Sequence, residues 1–433
     1  MSRGRIPRIL ALGLLTLAAQ TKFSAANATS EAVIYNFCDK NFCADGATPL
    51  GTVTLDAQGD VFGTTNLGGV PKDGCEFTDG CGAVYKLRLH NGFYLQKVLY
   101  SFCAQKGCAD GAFPIGSLVE DTAGNLYGVT SNYGKHGYGT VFRISPKGKY
   151  KVLHAFCAKE SCADGGNPSS TSAVLTYAGA SSGAAYDGVS PLYGTTYVGG
   201  NANAGTIFKM VPNDKGKWTY SVFYKFCSQS GCSDGERPVG LVADDAGVLY
   251  GMTNVGGAAG AGTVFKLNGT TFTTLHSFCT QSGCADGTSP RGALAVDTDG
   301  NVFGIASEGG GANDGVLFKI NAAGTYSILH SFCSEAACTD GRLPQGPPVL
   351  DKSGNLIGTT AGGGDKDVGA IYKLKGANYQ VLYSFCPQYP TCSDGASPNF
   401  PVVLDSVGNI FGTTVSGGRA TFGANGTVYE LIH

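Results

Sequence analysis

The sequence of 433 residues is poor in charged residues and has no excess of basic ones. Charged residues make up 14% of the chain, and its 30 Lys and Arg are slightly outnumbered by 32 Asp and Glu. A nucleic-acid-binding protein needs a basic face, and anionic membrane surfaces attract basic segments, so the composition argues against both partners. After the N-terminal region no segment has the length and apolarity of a transmembrane helix, and we expect no membrane insertion.

A largely apolar run lies at the N-terminus. Three arginines precede it, it covers residues 9–19, and Ala26-Asn27-Ala28 offers a cleavage site. This order predicts a secretory signal peptide over residues 1–28, with an uncleaved N-terminal anchor as the alternative. No cysteine precedes Cys38, so a lipoprotein cleavage box is absent. Removal of residues 1–28 leaves 26 basic and 32 acidic residues, a net charge of −6, and we expect a secreted or periplasmic protein.

The sequence is rich in glycine, with 67 copies, and it is repetitive. One marker occurs seven times: Phe-Cys, four or five residues, Cys, one residue, then Asp-Gly. Glycines at fixed offsets beside β-branched and aromatic residues indicate turns between strands rather than disorder. The basic unit is about 53 residues long, with insertions in the first and third intervals. The markers begin at Phe37, Phe102, Phe156, Phe226, Phe278, Phe332 and Phe385.

Each marker leads into the same series of short segments. They are rich in Val, Ile, Leu, Phe and Tyr, and a tight Asp-x-x-Gly-Asn turn separates the first two, as at residues 121–125. Four strands and no convincing helix per unit are typical of a propeller blade. An isolated fourth strand begins the repeats at Val33–Phe37, and a third strand ends them at 426–433. We therefore predict one all-β domain over residues 29–433, a monomeric seven-bladed β-propeller of four-stranded antiparallel blades, closed by pairing of the N- and C-terminal strands.

The recurring segments Gly-Asn-Leu-Tyr-Gly, Gly-Gly and Gly-Thr-Val-Phe-Lys-Leu resemble a known bacterial tandem repeat. It is the GloVer (Gloeo_Verruco) repeat of "choice-of-anchor" proteins, and the resemblance covers residues 33–433 and recurs seven times. It implies an extracytoplasmic β-propeller and no established reaction. Members often end in an anchoring tail, whereas this sequence stops at a strand, so free secretion or periplasmic residence is expected.

The 16 cysteines are expected to form eight disulfides between neighbours in sequence. Fourteen are the repeated pairs, and two share an insertion in the first unit. The alternative is structural zinc, but zinc needs four ligands and each unit offers two cysteines without an adjacent histidine. We expect no metal and no cofactor. The expected pairs are Cys38 with Cys43, Cys75 with Cys81, Cys103 with Cys108, Cys157 with Cys162, Cys227 with Cys232, Cys279 with Cys284, Cys333 with Cys338, and Cys386 with Cys392.

Three sets of repeated polar residues are interpreted as structural. A catalytic pair would be a local exception, so the Asp after each second Cys is expected to form a turn. Three histidines alternate with tyrosine at one position and are expected to pack with a polar tip. A basic residue recurs in the third strands, where ion pairs between blades and a solvated row both stay possible. These sets are Asp45, Asp110, Asp164, Asp234, Asp286, Asp340 and Asp394; His154, His276 and His330; and Lys86, Arg143, Lys209, Lys266, Lys319 and Lys373.

Candidate binding residues lie where the repeat is broken. The loops after strands two and four of a blade share one face of the ring, and loops on a rigid scaffold usually bind ligands. The insertion at 70–82 and the loop at 131–139 lie on that face, whereas the insertion near 174–190 faces the other way. A disulfide-closed surface loop without function is the alternative for the first insertion. The candidates are Asp73, Glu76, Asp79, Tyr133, His136 and Tyr138, which would suit a glycan.

Gly179-Ala-Ser181-Ser-Gly183 matches the nucleophile-elbow pattern, but it lies in a Gly/Ala/Ser insertion and not in the strand-turn-helix context which that motif needs, so we interpret it as a chance match. The sequence therefore favours a non-catalytic binding or surface-interaction module for glycans or envelope components. The alternative is a glycan-active hydrolase or lyase. That activity would need two acids, or an acid with His or Tyr, converging from different blades near the central channel.

Overall fold

Seven four-stranded antiparallel sheets form the protein in a computed structural model, which describes residues 30–70, 75, 80–168, 175–419 and 425–432. The predicted signal peptide and the candidates Asp73, Glu76 and Asp79 lie outside the described residues. The predicted all-β seven-bladed propeller is confirmed. Within the described ranges, no helix is long and apolar enough to cross a membrane.

The strands run outward in sequence order within each of the first six blades. Blade 1 contains β2 (Thr54–Leu55), β3 (Val61–Thr65), β4 (Ala83–His90) and β5 (Phe93–Ser101). Blade 2 contains β6 (Ala112–Glu120), β7 (Leu126–Asn132), β8 (Thr140–Ile144) and β9 (Tyr150–Ala155). Blade 3 contains β10 (Gly166–Pro168), β11 (Leu192–Val198), β12 (Thr206–Pro212) and β13 (Trp218–Lys225).

The remaining blades repeat this plan. Blade 4 contains β14 (Glu236–Ala243), β15 (Leu249–Val255), β16 (Thr263–Asn268) and β17 (Thr271–Ser277). Blade 5 contains β18 (Thr288–Val296), β19 (Val302–Glu308), β20 (Val316–Ile320) and β21 (Tyr326–Ser331). Blade 6 contains β22 (Arg342–Leu350), β23 (Leu356–Gly362), β24 (Ala370–Lys375) and β25 (Asn378–Ser384). Blade 7 contains β26 (Val403–Leu404), β27 (Ile410–Thr414), β28 (Thr427–Ile432) and, from the other end of the chain, β1 (Ser30–Asn36).

Short 3₁₀ turns complete the regular structure. Six of them lie in the cysteine loops between blades, and one lies in the loop between β11 and β12. They are Asn41–Cys43, Lys106–Cys108, Glu160–Cys162, Ser230–Cys232, Ser282–Cys284, Ala336–Cys338 and Asn201–Asn203.

The ring closes where β1 pairs antiparallel with β28. The register runs from Ser30 opposite Ile432 to Asn36 opposite Thr427, with one irregularity. The backbone N–H of Phe37 then donates to the carbonyl of Gly426 at 3.1 Å. The closure predicted from the split seventh unit is therefore confirmed, and β1 covers the outer edge of β28.

The core consists of clusters between neighbouring blades. Each marker phenylalanine is fully buried and packs edge-on against an aromatic ring in the third strand of the next blade. Phe102 and Phe142 illustrate the contact, with ring centroids 5.3 Å apart. The second strands contribute to these clusters on both sides, since all five residues of β3 and of β27 are buried. Burial of this kind holds each blade against the next.

A glycine before each third strand allows the blades to approach closely. Gly139 has φ of +91°, and a Cβ there would lie 2.2 Å from the carbonyl oxygen of Thr130 and 3.0 Å from Pro168 in the next blade. Any side chain at this position would be strained and would clash. Beside this contact, the N–H of Asn167 donates to the carbonyl of Tyr138 at 2.8 Å across the blade boundary.

All eight predicted disulfides are present, and no described cysteine is free. Seven close the loops that lead from one blade into the next. In six of these loops the two cysteines are five residues apart, as in Cys103–Cys108. The pair Cys386–Cys392, between blades 6 and 7, is six residues apart, and its loop lacks the 3₁₀ turn of the others. The eighth disulfide, Cys75–Cys81, closes the insertion in blade 1.

The basic side chains of the third strands interact within their own blades. Four lysines, Lys86 among them, lie over the aromatic ring directly opposite them on the second strand, as Lys266 does at 5.3 Å from the ring of Tyr250. Lys86 pairs with Asp60 at 2.6 Å, and Lys373 pairs with Asp351 at 3.1 Å. The described contacts therefore favour neither ion pairs between blades nor a solvated row, because these lysines have their partners inside their own blade.

Candidate functional site at the mouth of the central channel

The ring has two faces with different loops. We call the face with the disulfide loops and the loops between second and third strands the cysteine face. We call the opposite face, with the turns between first and second and between third and fourth strands, the hairpin face. The strand directions fix this assignment, because consecutive antiparallel strands place alternate connections on opposite faces.

On the cysteine face, a buried aspartate organises each disulfide loop. Asp110 accepts hydrogen bonds from the backbone N–H groups of Ala104 (2.9 Å) and Gln105 (3.1 Å) and from the hydroxyl of Tyr100 (2.7 Å). The other units repeat this arrangement, with variations in the donors; in the last one, Asp394 accepts from the N–H of Cys386 at 2.8 Å. The interpretation of these aspartates as loop-forming residues is confirmed. They are not available as a catalytic pair, because their oxygens are committed to the loop.

The three repeated histidines pack against these aspartates. His276 and His330 lie 3.2 and 3.0 Å from the carboxylates of Asp286 and Asp340. His154 lies 3.6 Å from Asp164, and burial lowers the pKa of His154 to about 4, although Asp164 opposes that shift. Each imidazole also stacks on a tyrosine of the next blade, at 3.6 to 3.9 Å between ring centroids. The predicted packing role is confirmed.

The described candidates from the sequence lie together on the cysteine face. Tyr133 packs against Phe113, with ring centroids 6.1 Å apart, and both pack with Cys75 against one apolar cluster. His136 is close enough to His154 to lower the pKa of His154. Tyr138 is 40% exposed. The loop at 131–139 therefore adjoins the disulfide that closes the Cys75–Cys81 insertion.

The hairpin face contains a concave site that the sequence analysis did not predict. The central channel opens there into a cavity of about 780 Å³. Its wall is built by the inner segments of all seven blades, so its residues are far apart in sequence. One lining residue from each blade, in order, gives the set Thr54, Ser117, Thr176, Leu241, Ala293, Val349 and Val403.

Glu120 is a carboxylate in the wall of this cavity. It ends β6, immediately before the Asp of the tight turn, and the corresponding residue is apolar in five other blades. Burial raises the pKa of Glu120, and the neighbouring Asp56 raises it further, whereas Lys86 lowers it. A half-buried acid therefore replaces an aliphatic side chain at the channel mouth. The residues at this position in blades 1, 4, 5, 6 and 7 are Leu55, Ala243, Val296, Leu350 and Leu404.

The acids near Glu120 are committed to other groups. Asp56 accepts two turn N–H groups, and Asp121 accepts turn N–H groups, the Asn125 amide and the Tyr127 hydroxyl. Asp60 pairs with Lys86. None of the described side chains or backbone groups donates a hydrogen bond to the Glu120 carboxylate. Of these four carboxylates, Glu120 is the one whose oxygens are left for a ligand.

The insertion in blade 3 raises one side of the channel mouth. The N–H of Thr122 in blade 2 donates to the carbonyl of Tyr186 at 2.9 Å, and the N–H of Gly179 donates to the carbonyl of Asp244 in blade 4 at 3.0 Å. The insertion lies on the hairpin face, as predicted, and it contacts both neighbouring blades there, which the sequence analysis did not predict. Tyr177 and residues 180 and 183–185 line the cavity, and Ser181 and Ser182 line a neighbouring cavity of about 600 Å³.

Two features of the sequence could have indicated this site. Glu120 departs from the apolar pattern at the end of the first strand, and the blade 3 insertion lies beside it on the same face. Neither signal shows that the two features share a cavity. Three clusters of possible metal ligands occur among the described residues, but each includes disulfide-bonded cysteines, which cannot bind as thiolates.

Comparison with known proteins identifies the repeat and the fold. The model of the Gloeobacter/Verrucomicrobia repeat matches residues 21–191 and 176–346. No curated protein matches the chain. Among solved structures, it is similar to the extracellular domains of a proposed one-component system and a proposed hybrid two-component system from B. thetaiotaomicron. Both are 11% identical, with TM-scores of 0.51 and 0.52; the alignments cover 92% and 91% of this chain and 40% of each of those chains. At that identity the similarity shows the fold alone.

Proposed function

The chain belongs to the Gloeobacter/Verrucomicrobia repeat family, whose repeats build its ring, and we propose that it is an exported, non-catalytic propeller that binds a glycan at the channel mouth. The observation that supports this proposal is the cavity of about 780 Å³ that contains Glu120. Ligand sites of this size hold a drug-sized or sugar-sized molecule. The eight disulfides agree with export, since disulfides persist in oxidising compartments.

The lining of the cavity suits a hydroxyl-rich ligand without negative charge. Ser117 and Thr122 offer hydroxyl groups, Glu120 offers an acceptor, and Tyr177 offers an aromatic ring. An aromatic ring can cover the apolar face of a sugar, while a carboxylate accepts hydrogen bonds from its hydroxyl groups. Asp56, Glu120 and Asp121 around one side of the mouth would repel an anion.

The same acids support binding rather than hydrolysis. A glycosidase of the common type needs two carboxyl groups that face the scissile bond. Next to Glu120, both Asp56 and Asp121 use their oxygens within turns. One acid can orient a sugar but lacks the partner that this mechanism needs.

A glycan array, with product detection on the same glycans, tests the proposal. Glu120→Gln should weaken binding of any captured glycan about tenfold, because one charge-assisted hydrogen bond is lost, while thermal stability is kept. The matched control is Glu160→Gln, which changes an exposed acid on the cysteine face and should bind normally. Unchanged binding by Glu120→Gln would show that the site is wrong. Product formation that Glu120→Gln abolishes would favour a hydrolase or lyase instead.

The cysteine face is a second candidate for the binding site. The contact between Phe113 and Tyr133 beside the Cys75–Cys81 insertion favours it. Replacement of Tyr133, His136 and Tyr138 together by Ala should then weaken glycan binding without unfolding the ring, and shortening of the insertion should do the same. If affinity survives both changes, this face does not bind the glycan.

A further inference from the structure

One side-chain position locks each blade to the blade before it. It lies in the fourth strand, four residues before the Tyr or His that contacts the loop-forming aspartate. In five blades an aromatic ring at this position stacks on the Tyr or His of the preceding blade, with centroids 3.6 to 4.5 Å apart. From blade 1 to blade 7 the residues are Gln96, Tyr150, Tyr220, Phe272, Tyr326, Tyr379 and Glu31.

Most residues at this position also donate a hydrogen bond across the blade boundary. The acceptor is the backbone carbonyl of the loop-forming aspartate. Tyr150 donates to the carbonyl of Asp110 at 2.5 Å, and Tyr220 donates to that of Asp164. The other two tyrosines donate in the same way, Tyr326 to Asp286 and Tyr379 to Asp340. Gln96 donates from its amide to the carbonyl of Asp45 at 3.1 Å. A side chain of the length of glutamine therefore reaches the carbonyl.

Glu31 occupies this position in β1, the strand that closes the ring. The ionisable groups facing it are Asp394 in the preceding linker, Tyr383 on β25 and Tyr429 on β28. Its Oε1 atom is buried and receives no hydrogen bond from a described residue. Burial, followed by the charge of Asp394, raises the pKa of Glu31 to about 7, against a smaller opposing effect from Tyr383.

We propose that Glu31 is a proton-controlled latch on the ring closure, whose neutral carboxyl group donates to the backbone carbonyl of Asp394 as Tyr or Gln does in five other blades. Protonated glutamic acid has the same length as glutamine and carries one O–H donor. When the proton leaves, the donor is lost and a carboxylate is left beside Asp394 and a carbonyl oxygen. The ionised form therefore weakens the contact between blades 6 and 7.

The direction of the pH effect follows from the raised pKa. The stabilising contribution of Glu31 is complete below the ordinary pKa of a glutamate, near 4.5, and is lost as the pH rises through about 7. Above that pH, β1 should open more often than the other fourth strands.

Hydrogen exchange tests this latch. The opening constant of β1, corrected for intrinsic exchange, is measured from pH 5 to pH 8 in the full protein. It should rise about tenfold in the wild type and less than about twofold in Glu31→Gln, which keeps a donor at every pH. Every variant carries the same N-terminus, because a nearby α-amino charge would act on Glu31. Equal pH dependence in the two proteins would overturn the proposal.

Glu31→Ala separates the donor from simple charge repulsion. It should open more than the wild type at pH 5, because it cannot donate, and it should show no rise with pH. If Glu31→Ala matches the wild type at pH 5, the hydrogen bond to Asp394 is absent and the latch is disproved. Both outcomes are independent of any glycan, so the latch can fail or stand without the proposed function.

Discussion

At the scale of single residues, either tyrosine or phenylalanine occupies one buried position of the third strands. The hydroxyl groups of the tyrosines are buried and make no hydrogen bond to a described residue. Each lies over a glycine of the second strand, as Tyr85 does over Gly63. The glycine therefore leaves space for the hydroxyl group, but no described group at this position forms a hydrogen bond with it. The tyrosines are Tyr85, Tyr372 and Tyr429, and the phenylalanines are Phe142, Phe208, Phe265 and Phe318.

Tyr85→Phe should leave the free energy of unfolding unchanged or raise it by about 1 kcal/mol, because it removes an unpaired buried hydroxyl group. The matched control is Tyr150→Phe, which should lower stability by about 1 kcal/mol, because it removes the donor to Asp110. Urea unfolding measures both. A clear loss of stability in Tyr85→Phe would mean that its hydroxyl group has a partner.

His154 should make the protein sensitive to acid. Its pKa is about 4 in the folded protein, below the ordinary 6.5, so its contribution to stability is present above pH 6.5 and is lost as the pH falls towards 4. His154→Tyr places at this position the residue that blade 1 has there, Tyr100. This variant should lose less stability than the wild type between pH 7 and pH 4. Thermal unfolding at both pH values checks this, and equal losses in the two proteins would contradict it.

At the scale of elements, β1 is the strand that closes the ring. It supplies the fourth strand of blade 7 and leads into the fully buried Phe37, which contacts Tyr85 with ring centroids 4.9 Å apart. Without it, the edge of β28 and the cluster between blades 7 and 1 would be exposed to water.

Deletion of residues 29–37 should lower the thermal and denaturant midpoints sharply. The comparison is replacement of the mostly exposed residues 180–185 in the blade 3 insertion by a short Gly/Ser turn, which should change the midpoints much less, because that segment is not a strand of any blade. A shortened N-terminus with unchanged unfolding would show that β1 does not close the ring.

At the scale of the whole molecule, the ring is held by repeated links between neighbours. Apolar clusters, glycine–proline contacts and disulfide loops recur at the blade boundaries, from Cys38–Cys43 to Cys386–Cys392. A link between cysteines only five or six residues apart restricts the unfolded chain little. The chain-entropy model gives roughly 2 kcal/mol for one such disulfide.

Mass spectrometry after alkylation without a reductant should find no free thiol in the exported protein. Replacement of Cys103 and Cys108 by Ala should cost roughly 2 kcal/mol of stability and leave the ring folded, because six other disulfide loops keep their geometry. Alkylated cysteines, or bridges between distant repeats, would contradict the local pairing.

The sequence by itself determined the blade count, the closure of the ring and the disulfides. Strand patterns, turns and cysteine pairs depend on neighbours a few residues apart, and the split unit at Val33–Phe37 and 426–433 required a shared seventh blade. The faces of the two insertions followed from strand direction alone. These features were predictable because the same local pattern of strands, turns and cysteines occurs seven times and indicates the same four-stranded unit each time.

Only the tertiary structure decided which polar residues meet. Glu120 and the blade 3 insertion are joined in one cavity by residues from seven blades, and Glu31 meets Asp394 because the N-terminal strand returns to the last blade. The same holds for the third-strand lysines, whose partners are set by the register of β3 with β4 and of its counterparts. Contacts of this kind join residues from different strands of one blade, from neighbouring repeats or from opposite ends of the chain. Their chemistry follows from burial and distance, which no local pattern in the sequence encodes.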